Sequence, residues 1–116
     1  MIIGVQGTRN FSDYNIFLRA MGTALSMREE SDTEFIIYTA GPAHINSMSL
    51  EFSNISERSL KARGIKIRTH KVPPKWLKDN IKTLDYFAFF SKPKEPVSDL
   101  VDTAEAKDVE VGVYRY

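Results

Sequence analysis

Short apolar runs alternate with helical stripes along this whole chain, and that alternation restricts the possible folds more than any other feature. Five runs have the length and residue types of strands, at residues 1–5, 34–40, 65–70, 84–90 and 109–114. Four segments between them place apolar residues three and four apart, as amphipathic helices do. Strands that alternate with helices favour a largely parallel sheet that is covered on both faces.

Local signals place the four helices between these strands. The first helix follows Ser12 or Asp13 as its cap, and the second runs from about residue 46 to 63, where Gly64 closes it. A short third helix near residues 75–82 carries Trp76, which we interpret as a core residue, and a fourth has Pro96 in its first turn. The predicted apolar faces of the first two helices are Tyr14, Phe17, Leu18, Met21 and Leu25, then Ile45, Met48, Phe52 and Ile55.

The predicted architecture is α/β: one Rossmann-like or flavodoxin-like doubly wound, mostly parallel sheet with strand order 3-2-1-4-5. A length of 116 residues suits a single domain over residues 1–116. This order makes the third strand an edge, and the alternation of Lys66, Arg68 and His70 is typical of an edge strand protected by charge.

Composition excludes several classes of function. The chain has no cysteine, which removes disulfides and thiolate chemistry and fits a cytoplasmic location. We predict no signal peptide and no membrane-spanning segment. The histidines lack metal-ligand spacing, and no P-loop is present, so we predict no metal and no cofactor. Net charge is +1, yet residues 61–78 hold seven Lys or Arg and no acidic residue.

Ligands of open α/β sheets bind at the carboxyl ends of the strands, where the winding direction reverses. The loop there begins with Gly7, Thr8, Arg9 and Asn10. A glycine that permits close approach, a hydroxyl, a guanidinium and a following helix N-terminus together suit a phosphate. The alternative is a tight turn with a solvated Arg9.

Two neighbouring loops complete the predicted ligand site. After the second strand, the candidates are Gly41, His44, Asn46 and Ser47. Asn46 could instead cap the second helix, and His44 is either a general base or a polar surface residue. After the fourth strand, the candidates are Ser91 and Lys94.

The run GVQGTRNFSDY at residues 4–14 resembles the opening of SLOG-superfamily domains, in particular the small YspA-like branch of bacteria and phages. The resemblance implies a Rossmann-like fold that binds nucleotide-derived ligands, with Gly7, Thr8, Arg9 and Gly41 at ligand-contacting positions. The chain departs from that pattern at Pro42, which replaces a glycine. Residues 91–96 also lack the glycine-rich element and the recognisable glutamate of the superfamily's phosphoribohydrolases.

These features predict a protein that binds a nucleotide or nucleotide-derived, phosphate-bearing ligand as a sensor or sequestering protein. One alternative is a nucleotide-processing hydrolase of the phosphoribohydrolase type. Another is a nucleic-acid or protein interaction module that uses residues 61–78, with Trp76 as a stacking platform. A homo-oligomer is also predicted, through the edge strand and exposed Tyr114 and Tyr116.

Overall fold

The structure is a computed structural model that describes residues 1–115, in which five strands and four helices alternate. The strands are β1 (Ile2–Gly7), β2 (Glu34–Thr39), β3 (Lys66–Lys71), β4 (Tyr86–Ser91) and β5 (Glu110–Arg115). The helices are α1 (Tyr14–Ser26), α2 (Ala43–Ala62), α3 (Pro74–Asp79) and α4 (Asp99–Ala106), and a short 3-10 helix covers Ile81–Thr83. The predicted α/β alternation is therefore confirmed.

The five strands form one sheet in the order β3-β2-β1-β4-β5, which confirms the predicted topology. Every neighbouring pair is parallel, so the sheet is wholly rather than mostly parallel. β1 pairs with β4, and Gly7 lies opposite Phe90 at the carboxyl edge. From this edge, the chain continues from β1 into α1 and from β4 into α4. Because the two connections diverge, they leave a crevice between them, as is typical of doubly wound sheets.

Each face of the sheet carries its own apolar core. The face packed against α1 and α2 buries Phe17, Phe35 and Phe90 among others, whereas the face packed against α3 and α4 buries Leu77 and Phe87. β4 contributes to both cores and is buried at every position. Burial on both sides explains why β4 has no polar alternation in its sequence.

Two predicted helix starts are wrong. α2 begins at Ala43 with Pro42 at its N-cap, so Asn46 lies inside the helix and does not cap it. α4 begins at Asp99, because the Ser98 side chain accepts a hydrogen bond from the backbone N–H of Leu100. Pro96 therefore lies in the preceding loop and not in the first turn of α4.

The predicted apolar faces of α1 and α2 were too wide. Leu18 is 39% exposed and Ile55 is 65% exposed, while the small residues Ala20 and Ala24 of α1 are fully buried. Small side chains let a helix approach the sheet closely, and a search for large apolar residues overlooks them. Trp76, predicted to be a core residue, is only partly buried at the margin of the core.

The C-terminal aromatic residue Tyr114 belongs to the core more than to the surface. Its ring stacks on Phe90 at a centroid distance of 5.3 Å, and its hydroxyl lies 2.6 Å from the hydroxyl of Tyr86. Tyr114 is therefore not the exposed contact that the oligomer prediction used. Tyr116 lies outside the described residues.

No helix of residues 1–115 is long and apolar enough to cross a membrane.

Gly112 is required by close packing, which leads to a stability prediction. A Cβ atom at this position would lie 1.9 Å from the Tyr86 hydroxyl and 2.8 Å from the Tyr114 ring. We expect Gly112→Ala to lower the free energy of unfolding by about 1–3 kcal/mol, because both rings must move. Urea unfolding measures this loss. The matched control is Gly22→Ala in α1, where a Cβ meets nothing within 4 Å. This control is expected to be neutral or stabilising, and an equal loss in both variants would contradict the packing argument.

Candidate functional site

The three loops predicted to form the site lie together at the carboxyl edge of the sheet. The backbone N–H of Gly7 donates to the carbonyl oxygen of Gly41 at 3.1 Å. The backbone N–H of Thr8 donates to the carbonyl oxygen of Phe90 at 2.8 Å. These two hydrogen bonds tie the loop after β1 to the ends of β2 and β4.

Gly7 itself has a packing role in this structure. A Cβ atom there would lie 2.6 Å from Cδ1 of Ile45 and 2.9 Å from the carbonyl oxygen of Phe90. Any larger residue would therefore push α2 away from the sheet. Because its N–H is already bonded to Gly41, Gly7 offers a ligand mainly space, and its contact with a ligand stays a prediction.

The central feature of the edge is the carboxylate of Glu95, which belongs to the loop after β4. Its Oε1 accepts hydrogen bonds from the Thr8 hydroxyl at 2.6 Å and from the backbone N–H of Lys92 at 2.7 Å. Its Oε2 accepts from Nδ2 of Asn10 at 3.2 Å. We call this arrangement of Glu95, Thr8, Asn10 and Lys92 the Glu95 clasp.

Hydrogen bonding in the clasp favours the ionised form of Glu95. The Thr8 hydroxyl lowers the pKa of this carboxyl most, the Lys92 backbone N–H lowers it further, and the Asn10 amide adds a smaller contribution. Glu95 is therefore an anion at neutral pH. Two of the residues predicted to hold a phosphate, Thr8 and Asn10, thus already hold one anionic group.

Three cationic residues belong to the clasp or adjoin its residues along the chain, and none has an ion pair within residues 1–115. Arg9, Lys92 and Lys94 are exposed, and Lys94 adopts a left-handed backbone conformation with φ of 71°. Within residues 1–115, the single ion pair within 4 Å joins the N-terminal amino group to Asp32 at 3.5 Å. The positive charges beside the clasp are therefore available to a ligand.

Two depressions each share a residue with the clasp. One, of about 460 Å³, is lined by Phe11, Ser12, Asp13 and Lys92. The other has a volume of about 380 Å³ and lies between β1, β4 and the start of α4. Its lining is Gln6, Gly7, Thr8, Phe89, Pro96, Val97, Ser98 and Asp99. The Glu95 side chain connects Lys92 of the first depression to Thr8 of the second.

Two buried polar atoms at the ends of β1 and β4 have no hydrogen-bond partner, namely Oε1 of Gln6 and Oγ of Ser91. Buried polar atoms normally find partners, so these two are unused hydrogen-bonding capacity at the edge. Gln6 also lines the second depression. Ser91 was among the site residues predicted from the sequence, but Gln6 was not. The sequence signal for Gln6 was that a polar residue stands at the end of an apolar strand.

The residues predicted from the loop after β2 are less closely involved. Gly41 is buried with φ of +82°, a conformation that favours glycine. Oδ1 of Asn46 accepts a hydrogen bond from the Thr39 hydroxyl at 2.7 Å. His44 and Ser47 are exposed on the first turns of α2. No carboxylate of residues 1–115 is hydrogen-bonded to His44, as a positioned general base would require.

Comparison with known proteins assigns no family: no protein-family model, curated protein or solved structure matches this chain. The resemblance of residues 4–14 to SLOG-superfamily domains therefore stays a prediction. Among residues 1–115, no group of three or more acidic or histidine side chains is arranged to hold a metal ion. The hydrogen-bond donors at the carboxyl edge converge on an anionic group, the Glu95 carboxylate.

Proposed function

We propose that this protein binds a nucleotide-derived ligand at the carboxyl edge of β1 and β4, with the ligand phosphate in the Glu95 clasp. One observation carries the proposal: the Thr8 hydroxyl, the Asn10 amide and the Lys92 backbone N–H converge on a single anionic group. Phosphate oxygens accept from the same kinds of donors as a carboxylate does. In the ligand-bound protein, the phosphate takes the place of the Glu95 carboxylate.

The surroundings of the clasp support a ligand larger than phosphate alone. Arg9 and Lys94 are exposed and adjoin clasp residues along the chain, so they add charge that a phosphate group neutralises. The second depression is lined by Gln6 and by the exposed residue Asp99, whose carboxylate oxygens can accept hydrogen bonds. Such acceptors suit sugar hydroxyls or the amino group of a base. A sensor or sequestering protein only has to bind its ligand, and it needs no groups at the site beyond those that bind.

Arg9→Ala tests the proposal. Adenosine monophosphate, ADP-ribose and a cyclic nucleotide are the probes, and isothermal titration measures their affinity. We expect Arg9→Ala to weaken binding at least about tenfold, the scale of a lost charge-assisted hydrogen bond to phosphate. The melting temperature without ligand should stay near that of the wild type, because Arg9 is exposed and has no ion-pair partner within residues 1–115.

The matched control is Arg58→Ala. Arg58 is equally a surface arginine, but it lies in the last part of α2, which runs towards the opposite edge of the sheet. Affinity in this control should equal that of the wild type. Equal affinity in Arg9→Ala and the wild type, or no binding of any of the three probes, would contradict the proposal.

A further inference from the structure

An uncovered area of the sheet lies on the face of β2 and β3 that points away from α2. On the α2 side, Phe35 and Ile37 are fully buried, and the Thr69 hydroxyl is hydrogen-bonded to that of Ser53 in α2. On the opposite side, none of the six side chains of β2 and β3 is fully buried. They are Glu34, Ile36, Tyr38, Lys66, Arg68 and His70.

Three rings form a series on this uncovered area. Tyr38 lies opposite His70 in the strand register, with ring centroids 5.5 Å apart and planes inclined by 28°. Tyr38 also meets Trp76 of α3, with ring centroids 4.5 Å apart and planes inclined by 37°. His70 is exposed, while Tyr38 and Trp76 are partly exposed. We call these three residues the open aromatic face.

Positive charge borders the open aromatic face. Lys66 and Arg68 lie on the same side of β3 as His70, because alternate residues of a strand share a face, and both are exposed. On α3, Lys75 and Lys78 are neighbours of Trp76 along the chain, but they line a depression of about 240 Å³ with Gln6 and Asp99 at the carboxyl edge of the sheet. The acidic residues nearby are Glu34, opposite Lys66 in the register, and Asp79 at the end of α3. On this face of β2 and β3, the two cations Lys66 and Arg68 therefore outnumber the single anion Glu34.

We propose that the open aromatic face binds a single-stranded nucleic acid, whose bases stack on the rings while Lys66 and Arg68 contact its phosphates. Aromatic platforms beside a cationic groove are the usual way to hold unpaired bases without reading their sequence. A duplex hides the faces of its bases inside the stack, so it fits this surface less well. The site is separate from the Glu95 clasp and does not depend on the function proposed for it.

Fluorescence provides a direct test, because Trp76 is the only tryptophan of the chain. The probes are a fluorescein-labelled oligothymidylate, the matching oligouridylate and a duplex of equal length, titrated at two salt concentrations. We expect anisotropy to report binding of both single strands, weakening steeply as salt rises. With unlabelled strands, base stacking should quench the emission of Trp76.

Three variants separate stacking from charge. His70→Ala and Arg68→Ala are each expected to weaken binding by about tenfold, on the scale of one lost stacking or charged contact. His70→Phe keeps a ring and should retain most of the affinity. Both positions are exposed on an edge strand, so melting temperatures should change little. Arg58→Ala, a surface arginine on α2, is again the matched control.

Several outcomes would overturn this inference. They are the absence of single-strand binding, affinity unchanged in both His70→Ala and Arg68→Ala, and tighter binding of the duplex. Light scattering that shows a dimer lost in Arg68→Ala would instead assign the face to a second copy of the chain, which also overturns it. Binding lost in Arg9→Ala but kept in Arg68→Ala would place the strand at the Glu95 clasp.

Discussion

Replacing Phe90 with alanine is expected to lower the free energy of unfolding by about 3–5 kcal/mol, the usual range for a fully buried phenylalanine. Phe90 has no exposed surface. Its ring lies 5.2 Å from that of Phe11, 5.3 Å from that of Phe17 and 5.3 Å from that of Tyr114. The substitution leaves a cavity among three rings on three different elements, which the surrounding structure cannot close easily.

Urea unfolding followed by circular dichroism measures this loss, with Ile55→Ala as the control. Ile55 is 65% exposed, so removing most of its side chain should change stability by less than about 0.5 kcal/mol. If Phe90→Ala does not fold, the smaller change Phe90→Leu should still show a clear loss. A Phe90 variant as stable as the Ile55 variant would contradict the described core.

Replacing Glu95 with alanine is expected to raise the affinity for phosphate-bearing ligands by about ten- to a hundredfold. The wild-type carboxylate occupies the donors of Thr8, Asn10 and Lys92. A ligand phosphate must displace it and would also be repelled by its negative charge. If the carboxylate leaves the site open for only about 1–10% of the time, the apparent affinity is about 1–10% of the affinity of the open site. Removing the carboxylate leaves the donors free.

The affinities of Glu95→Ala and Glu95→Gln for ADP-ribose, measured by isothermal titration, check this prediction. The glutamine variant keeps an acceptor for Thr8 but loses the charge, so its affinity should lie between those of the alanine variant and the wild type. The control is Glu105→Ala, because Glu105 is an exposed glutamate of α4 outside the clasp. An affinity lower in Glu95→Ala than in the wild type would show that Glu95 assists the ligand and does not compete with it.

The pH dependence of folding provides a second measurement of the clasp. The pKa of Glu95 is lowered in the folded protein from an ordinary value of 4.5. Its stabilisation is therefore fully present above pH 4.5 and is lost as the pH falls from that value through the lowered pKa. We expect the wild type to melt above Glu95→Gln at neutral pH, and the gap to close in acid. A gap that stays constant in acid would contradict the described hydrogen bonds.

Much of the architecture could be predicted from sequence because its signals are local. Each of these signals involves residues that are close together in the sequence. Examples are the apolar run of β4, the alternation of Lys66, Arg68 and His70, and the cap at Asp13. The errors were local too. Pro96 was predicted inside α4 because proline fits a first turn, yet the side chain of Ser98 caps the helix, which begins at Asp99.

The candidate site was predictable only in part. Its position at the carboxyl edge followed from the strand order, and Thr8 and Asn10 were named from their loop. Glu95 stood among the residues after β4, but no pattern connected it to Thr8, which is 87 residues away along the chain. Gln6 was missed because an unpaired buried oxygen becomes visible only when every neighbouring atom is placed.

The surface of β2 and β3 was likewise predictable from the sequence only in part. Residue periodicity was sufficient for the strands, their order and the charged edge, since these depend on spacing within a strand and on the few connections that parallel strands permit. The ring series of His70, Tyr38 and Trp76 joins two strands and a helix, and the Glu95 clasp joins two loops. Such contacts depend on packing between segments that are distant along the chain, and periodicity reports only on near neighbours.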